Sequence, residues 1–267
     1  ALNMHWFDPV NDPTTDAGKE DLKAIAILSH LSQWAFLEAI ETGVLKWSVP
    51  EIPALPNGFS FEKIIEESRS SLDWVGVNYY SRYLIARDKT NFLGARWEVP
   101  KTGLIYAEGL KNILLETKKH LNASIPLIVS ENGFDDKTDL VRTSFIKNHI
   151  HQMGLAMRAG ADVRGYWYWS LTDNFEWLSG YGPRYGLVEI DYSNLKRTIR
   201  SSAFVFRDIV TQNKYGPIEM GELTYALRAP DGFVMELSSL DMPVDELLPK
   251  IEAAEKIGAN HFNIPIL

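Results

Sequence analysis

Two short stretches of the sequence concentrate the groups able to do chemistry. In the first, Glu131 closes the apolar run Pro126-Leu-Ile-Val-Ser130 and is followed by Asn132-Gly133. A carboxylate at the end of a buried strand is unfavourable unless it is paired, hydrogen-bonded or used. In use, it can move a proton or attack an electrophilic carbon. A helix cap or a loop ion pair is the bland alternative. The second stretch, Trp169-Ser-Leu-Thr-Asp173-Asn-Phe-Glu176-Trp177, with Gly180-Tyr181 and Arg184-Tyr185-Gly186-Leu187 behind it, sets two carboxylates among aromatic rings. Such a loop serves equally as an apolar lid, a protein interface or a platform on which the apolar faces of a sugar stack. A further amide and two phenols, Asn78, Tyr79 and Tyr80, end the apolar run that starts at Trp74.

Groups of this kind need elements that hold them, and the hydrophobic pattern supplies these in alternation. Leu2 to Phe7 reads as a strand closed by Asp8-Pro9. Thr15 or Asp16 then caps a helix in which Ala24, Ile27, Leu28, Leu31 and Ala35 recur at helical spacing, ending near Gly43. A proline-rich loop at 50–57 and a short helix around 60–69 lead to the strand Trp74 to Asn78, which breaks into Tyr79, Tyr80 and Ser81. After an irregular 85–103, Leu110, Ile113, Leu114, Thr117 and Leu121 form the next helical face, followed by the strand at 126–130. A helix from about Ser144 to Gly160 carries Ile146, Ile150, Met153 and Met157 on one side. The strand Val163 to Trp169 and a helix over 197–212 complete the series.

Strand then helix, repeated four times with near-continuous apolar strands, predicts a parallel sheet covered by helices. Polar and acidic residues sit repeatedly just after the strands, where a (β/α)₈ barrel of the TIM type places its site. No G-x-G-x-x-G or P-loop accompanies them. Beyond residue 212 the pattern changes. Glu222 to Leu227 and Phe233 to Leu237 flank Pro230-Asp-Gly232 as a hairpin signal, and a helix at 243–257 precedes a strand from Asn260 to Ile264. The expected division is therefore residues 1–212 and a small α+β segment over 213–267.

The bulk properties narrow the classes of partner. A net charge of −8 over 267 residues disfavours nucleic acid and anionic membranes, and a small neutral substrate fits better. The absence of cysteine excludes disulfides and thiolate metal sites and makes the cytoplasm the expected compartment. His149 and His151 are too close to share a helical face, no H-E-x-x-H occurs, and neither a metal nor a cofactor is expected. They read as surface or helix-packing residues.

The motifs are more specific than the pattern. Ile128-Val-Ser-Glu131-Asn-Gly133 resembles the nucleophile motif of glycoside hydrolase family 1, I/V-T/S-E-N-G. Trp169 to Trp177 is similar, almost residue for residue, to that family's W-S-L-x-D-N-F-E-W signature. The resemblance covers residues 1–212. It implies a retaining exo-β-glycosidase of β-glucosidase or β-galactosidase type, acting on a β-glycoside or oligosaccharide through Glu131 as nucleophile. By the same resemblance Tyr80 donates a hydrogen bond to the nucleophile, and Asn78 lies in that neighbourhood. Trp169 forms the floor under the sugar ring, Glu176 and Trp177 take the glycone's outer hydroxyls, and Tyr185 lines the same subsite. Asn3 is a weaker match, to a polar residue near the cleft on the fifth barrel strand. A glutamate at position 176 further implies a neutral sugar, since relatives that accept 6-phosphosugars carry a small hydroxyl residue there.

One expected group is absent. Retaining glycosidases work with two carboxyl groups about 5 Å apart, and the family's acid/base lies in a T-x-N-E-P motif. No Asn-Glu-Pro occurs in this sequence. The expectation is that residues 1–212 correspond to barrel strands five to eight, about four βα units, and that the chain works with a complementary half-barrel or by self-association. The alternative is a sugar-binding pseudoenzyme or a half-barrel assembly module without general acid catalysis. Residues 213–267 lie past the resemblance. Lys256-Ile-Gly-Ala-Asn260-His-Phe is weakly similar to an early helix and strand of the family, and an unrelated small appendage is an equal alternative.

Overall fold

The computed structural model describes residues 1–212, except 51, 101, 102 and 123, together with 233–236 and 259–263. These fall into two compact units, residues 1–133 with 152–169, and residues 134–151 with the chain from 170 onward.

The first unit is built on a parallel sheet. Strands β1 (Leu2–Pro9), β4 (Val75–Arg87), β6 (Leu127–Asn132) and β7 (Val163–Tyr168) pair in that order, each parallel to the next. Between β1 and β4 run α1 (Asp16–Ser29), a π-turn (His30–Trp34) and α2 (Ala35–Thr42). Thr15 starts α1, its hydroxyl accepting the Gly18 N–H at 3.1 Å, and Gly43 ends α2 in the left-handed conformation at φ 75°. Helix α3 (Ala107–Lys119) follows β4, and α4 (Arg142–Arg158) follows β6. Alternation sorts each strand's side chains between the sheet's two faces. Val75, Val77, Tyr79, Leu127, Val129 and Val163 are buried, as are Leu110, Ile113 and Leu114 of α3. The hydroxyl of Tyr79 donates to the Tyr106 carbonyl at 2.7 Å, just ahead of α3.

Several local expectations change. Residues 59–64 are not helical: β3 (Phe59–Ile64) pairs antiparallel with β2 (Val44–Val49), matching Trp47 to Phe61 and bringing Lys46 within 3.6 Å of Glu62. Only a 3₁₀ turn at Glu66–Ser68 remains of the expected helix. Strand β4 does not break at Tyr79 but continues to Arg87, and the stretch expected to be irregular holds β5 (Ala95–Glu98), antiparallel to it. Cross-strand pairing and the Phe7–Trp97 and Tyr83–Trp97 ring contacts stabilise this extension.

In the second unit, β8 (Val188–Asp191) and β9 (Lys196–Ile199) form a hairpin, so α5 (Ser201–Gln212) begins later than 197. Strands β10 (Phe233–Glu236) and β11 (Ala259–Asn263) pair in parallel. The strand expected at 222–227, its hairpin turn and the helix at 243–257 lie outside the described residues. On α4, Met157 is exposed, whereas Phe145, Ile146, Ile150 and Met153 are buried.

His149 is fully buried on α4, stacked 3.9 Å from the Phe145 ring, with Nδ1 donating to the Phe145 carbonyl at 2.8 Å. Burial pushes its imidazole down to about 4, against a smaller upward pull from that carbonyl. An unfolded histidine takes up its proton near pH 6.5, so between there and pH 4 the unfolded chain binds more protons than the folded one. Stability should therefore fall by roughly 3 kcal/mol on acidification through this window. Urea midpoints at pH 7 and pH 4.5 measure it, and His149→Phe should flatten the dependence. An equally steep fall in that variant would assign the effect elsewhere.

Candidate functional site

The position of Glu131 depends on an irregularity in β6. A regular strand would turn residue 131 to the same face as Leu127 and Val129, into the apolar layer. Instead the register with β4 jumps: Val77 pairs with Val129, but Asn78 pairs with Glu131, leaving Ser130 as an extra residue. Such a bulge re-aims the side chains that follow it. It puts Glu131 opposite Asn78, and the Tyr80 hydroxyl donates to Glu131 Oε2 at 2.7 Å. The displaced Ser130 donates to Asn78 Oδ1 at 2.7 Å, and Asn78 Nδ2 donates to Asn3 Oδ1 at 2.9 Å. Asn78 is thus tied to its neighbours at both ends of its amide. Tyr80 and Glu131 are each partly buried.

The two residues after Glu131 fix the strand end. Asn132, fully buried, donates from Nδ2 to the Tyr79 carbonyl and accepts the Tyr166 hydroxyl, both at 2.7 Å. Its carbonyl takes the Trp169 N–H at 3.0 Å. Gly133 has no room for a side chain: an added Cβ would lie 1.9 Å from the Trp169 carbonyl oxygen. Trp169 itself is partly buried.

In the second unit, the loop carrying Glu176, Trp177 and Tyr185 is organised by Asp173. Its carboxylate is buried and accepts the backbone N–H of Gly186 at 2.9 Å and of Ile190 at 3.2 Å. Arg200, also buried, meets it with both terminal nitrogens at 3.0 Å and donates a further bond to the Gly186 carbonyl at 2.6 Å. Bidentate geometry of this kind is the strong form of the pair. Arg184 adds a second cation 3.7 Å from Asp173, its guanidinium 4.9 Å above the Tyr192 ring. Glu176 and Tyr185 are partly buried. Trp177 is 82% exposed and adopts φ 49°, in a turn closed by the Glu176 N–H on the Gly180 carbonyl at 2.7 Å.

A second anchor lies at the start of α4. Asp136 caps it, accepting Val141 N–H at 2.8 Å and Arg142 N–H at 3.1 Å. Burial pulls the Asp136 carboxyl upward, but these donors and Thr138 outweigh it and hold it below its ordinary value. The fully buried Arg142 donates to the carbonyls of Asp136 and Arg184 and pairs with Asp139. Asp139 in turn accepts the Ser202 hydroxyl at 2.6 Å.

Sequence reasoning passed over Arg200 and Asp136. A single arginine between a hairpin and a helix carries no periodic signal, and an aspartate in a polar loop resembles any surface carboxylate. Among the described residues, no group of three or more His, Asp or Glu is placed to hold a metal ion, and no helix is long and apolar enough to cross a membrane.

A family model described as Glycosyl hydrolase family 1 matches residues 2–215. A β-galactosidase of Sulfolobus acidocaldarius is 35% identical over 211 residues, covering 73% of this chain and 40% of the relative. β-Glucosidase A of Thermotoga maritima is 31% identical, covering 80% and 50% respectively. Among solved structures, a β-glycosidase from Pyrococcus horikoshii superposes with TM-score 0.64 at 32% identity, over 78% of this chain and 46% of that one. A family 1 β-glucosidase from Thermotoga maritima superposes with TM-score 0.65 at 28% identity, over 79% and 50%. The chain thus spans roughly half the length of these relatives.

Proposed function

The chain belongs to glycosyl hydrolase family 1, and on that footing we propose that residues 1–212 supply the nucleophile and glycone-binding residues of a retaining exo-β-glycosidase, as barrel strands five to eight. Glu131 attacks the anomeric carbon of a terminal β-glycoside, the bond to the aglycone oxygen breaks, and a glycosyl ester forms. Water then cleaves the ester, with net retention. Tyr80 aims the attacking carboxylate, and Asn78, tied to Ser130 and Asn3, lines the sugar's side of the strand ends. Trp169, Glu176, Trp177 and Tyr185 recognise the glycone. The carboxyl group that protonates the leaving oxygen comes from sequence other than these 267 residues, in which no Asn-Glu-Pro occurs.

The 2.7 Å bond from Tyr80 to Glu131 supports this reading most, because a bulge is spent on turning that carboxylate out of the apolar layer. A fluorosugar with a fluoride leaving group tests it directly, since fluoride departs without a general acid. Incubating the 267-residue chain with 2-deoxy-2-fluoro-β-D-glucosyl fluoride should place one sugar on Glu131, located by peptide mass. Labelling elsewhere, or none, would overturn the assignment. Sugar binding without labelling would instead favour a sugar-binding module without catalysis.

The glycone is expected to be neutral. With Glu176 at the outer hydroxyls, a 6-phosphate about 4 Å away would be repelled by roughly 4 kcal/mol at an effective dielectric near 20. That is about three decades in affinity. Matched aryl glucoside and aryl 6-phosphoglucoside, assayed on a full-length barrel containing residues 1–212, should differ in kcat/KM by that order, and Glu176→Ser should narrow the gap. Preference for the phosphorylated substrate would sink the claim.

A further inference from the structure

We propose that Arg200 is a positioning residue for glycone recognition, acting through Asp173 and Gly186 to set the conformation of the loop that presents Glu176, Trp177 and Tyr185. The proposal rests on the reading of that loop as the glycone-binding element. Arg200 and Asp173 close a ring around the backbone of one residue of the loop, Gly186. Asp173 accepts the N–H of Gly186 at 2.9 Å, and Arg200 donates to the Gly186 carbonyl at 2.6 Å while donating to both Asp173 oxygens at 3.0 Å. Gly186 is therefore bound on both sides, and Tyr185 immediately precedes it. On the other limb, Asp173 stands three residues ahead of Glu176, and its own N–H donates to the Val188 carbonyl at 3.1 Å. The limbs approach so closely that a Cβ on Gly186 would lie 2.2 Å from the Asp173 nitrogen.

The loop tip shows why such a brace is needed. Trp177 holds φ 49° while 82% exposed, and a non-glycine residue in that region persists only where its surroundings fix it. At the tip Leu178 is fully exposed, and Tyr181, though it meets the Phe175 and Tyr192 rings, stays more than half exposed. At the loop's base the buried ion pair lies beside the buried Leu187 and Ile190. Such pairs are weak evidence for stability gained, but they specify geometry, and removing one partner leaves an uncompensated buried charge.

The test uses the full chain and the same fluorosugar, because time-dependent labelling separates the probe's binding constant KI from the rate of attack kinact. Arg200→Lys keeps the charge but cannot hold two carboxylate oxygens and a carbonyl together. It should raise KI about tenfold, the loss of one well-aligned charged hydrogen bond, and leave kinact within about threefold. Asp173→Asn should do the same, and Arg200→Ala should do more. An unchanged KI in folded variants, or a loss confined to kinact, overturns the proposal while leaving the assignment of Glu131 intact. Loss of circular dichroism in all three would show the pair to be a stability element only and overturns it as well. Absence of label on wild-type Glu131 would bring down the functional reading, and this proposal with it.

Discussion

Glu131→Gln should lower turnover of an aryl β-glucoside more than a hundredfold in a full-length barrel that contains residues 1–212. The amide keeps the shape of the side chain and still accepts a hydrogen bond from Tyr80, so folding and sugar binding should persist. An amide oxygen is too poor a nucleophile for the glycosyl ester to form at a useful rate, and the covalent step is lost. A hundredfold corresponds to roughly 2.7 kcal/mol of barrier, a lower bound for losing the group that makes the bond. Steady-state rates of the two proteins, with circular dichroism as a check on folding, decide it. Retention of more than about a hundredth of the wild-type rate would remove Glu131 from the nucleophile's role.

The 267-residue chain by itself should hydrolyse an unactivated disaccharide such as cellobiose about 10²–10⁴-fold more slowly than a full-length barrel does, the usual contribution of a general acid. Aryl glycosides with good leaving groups depend less on protonation and should show a smaller deficit. Asp173 is the carboxylate in the signature loop that sequence alone leaves open as a substitute acid. The structure argues against that role, because its oxygens are taken by Arg200 and by the N–H groups of Gly186 and Ile190. Cellobiose and p-nitrophenyl glucoside assays on the purified chain make the comparison. Robust cellobiose hydrolysis would mean that another carboxyl group in this sequence acts as the acid.

What the sequence made legible follows from how each feature is encoded. The strands of the parallel sheet are apolar on the face toward the helices, and Val75, Val77, Leu127 and Val129 announce them. Helix α1 is announced by Thr15 and by the spacing of Ala24, Ile27 and Leu28. Residues 59–64 went the other way because every one of them is exposed in β3, so no buried face exists to impose a period of two. Pairing with β2 decides that segment, and pairing is invisible to a local pattern. Motif resemblance singled out Glu131 and Glu176 as candidates, but not the bulge that sets Glu131 opposite Asn78. A bulge adds one residue without changing composition, and only the partner strand reveals it. Arg200 stayed hidden for a similar reason, being 27 residues from the carboxylate it holds.

The contact between Gly133 and the Trp169 carbonyl bears on how this protein can change over generations. An added methyl would come within 1.9 Å of that oxygen, so the backbone opening one motif excludes any side chain at the glycine ending the other. The constraint falls on residue 133 and not on the side chain at 169, since every residue carries that carbonyl. A lineage exchanging Gly133 would have to move the backbone at Trp169, whose N–H is bonded to Asn132. The glycine is therefore expected to persist even where flanking loops vary freely in length.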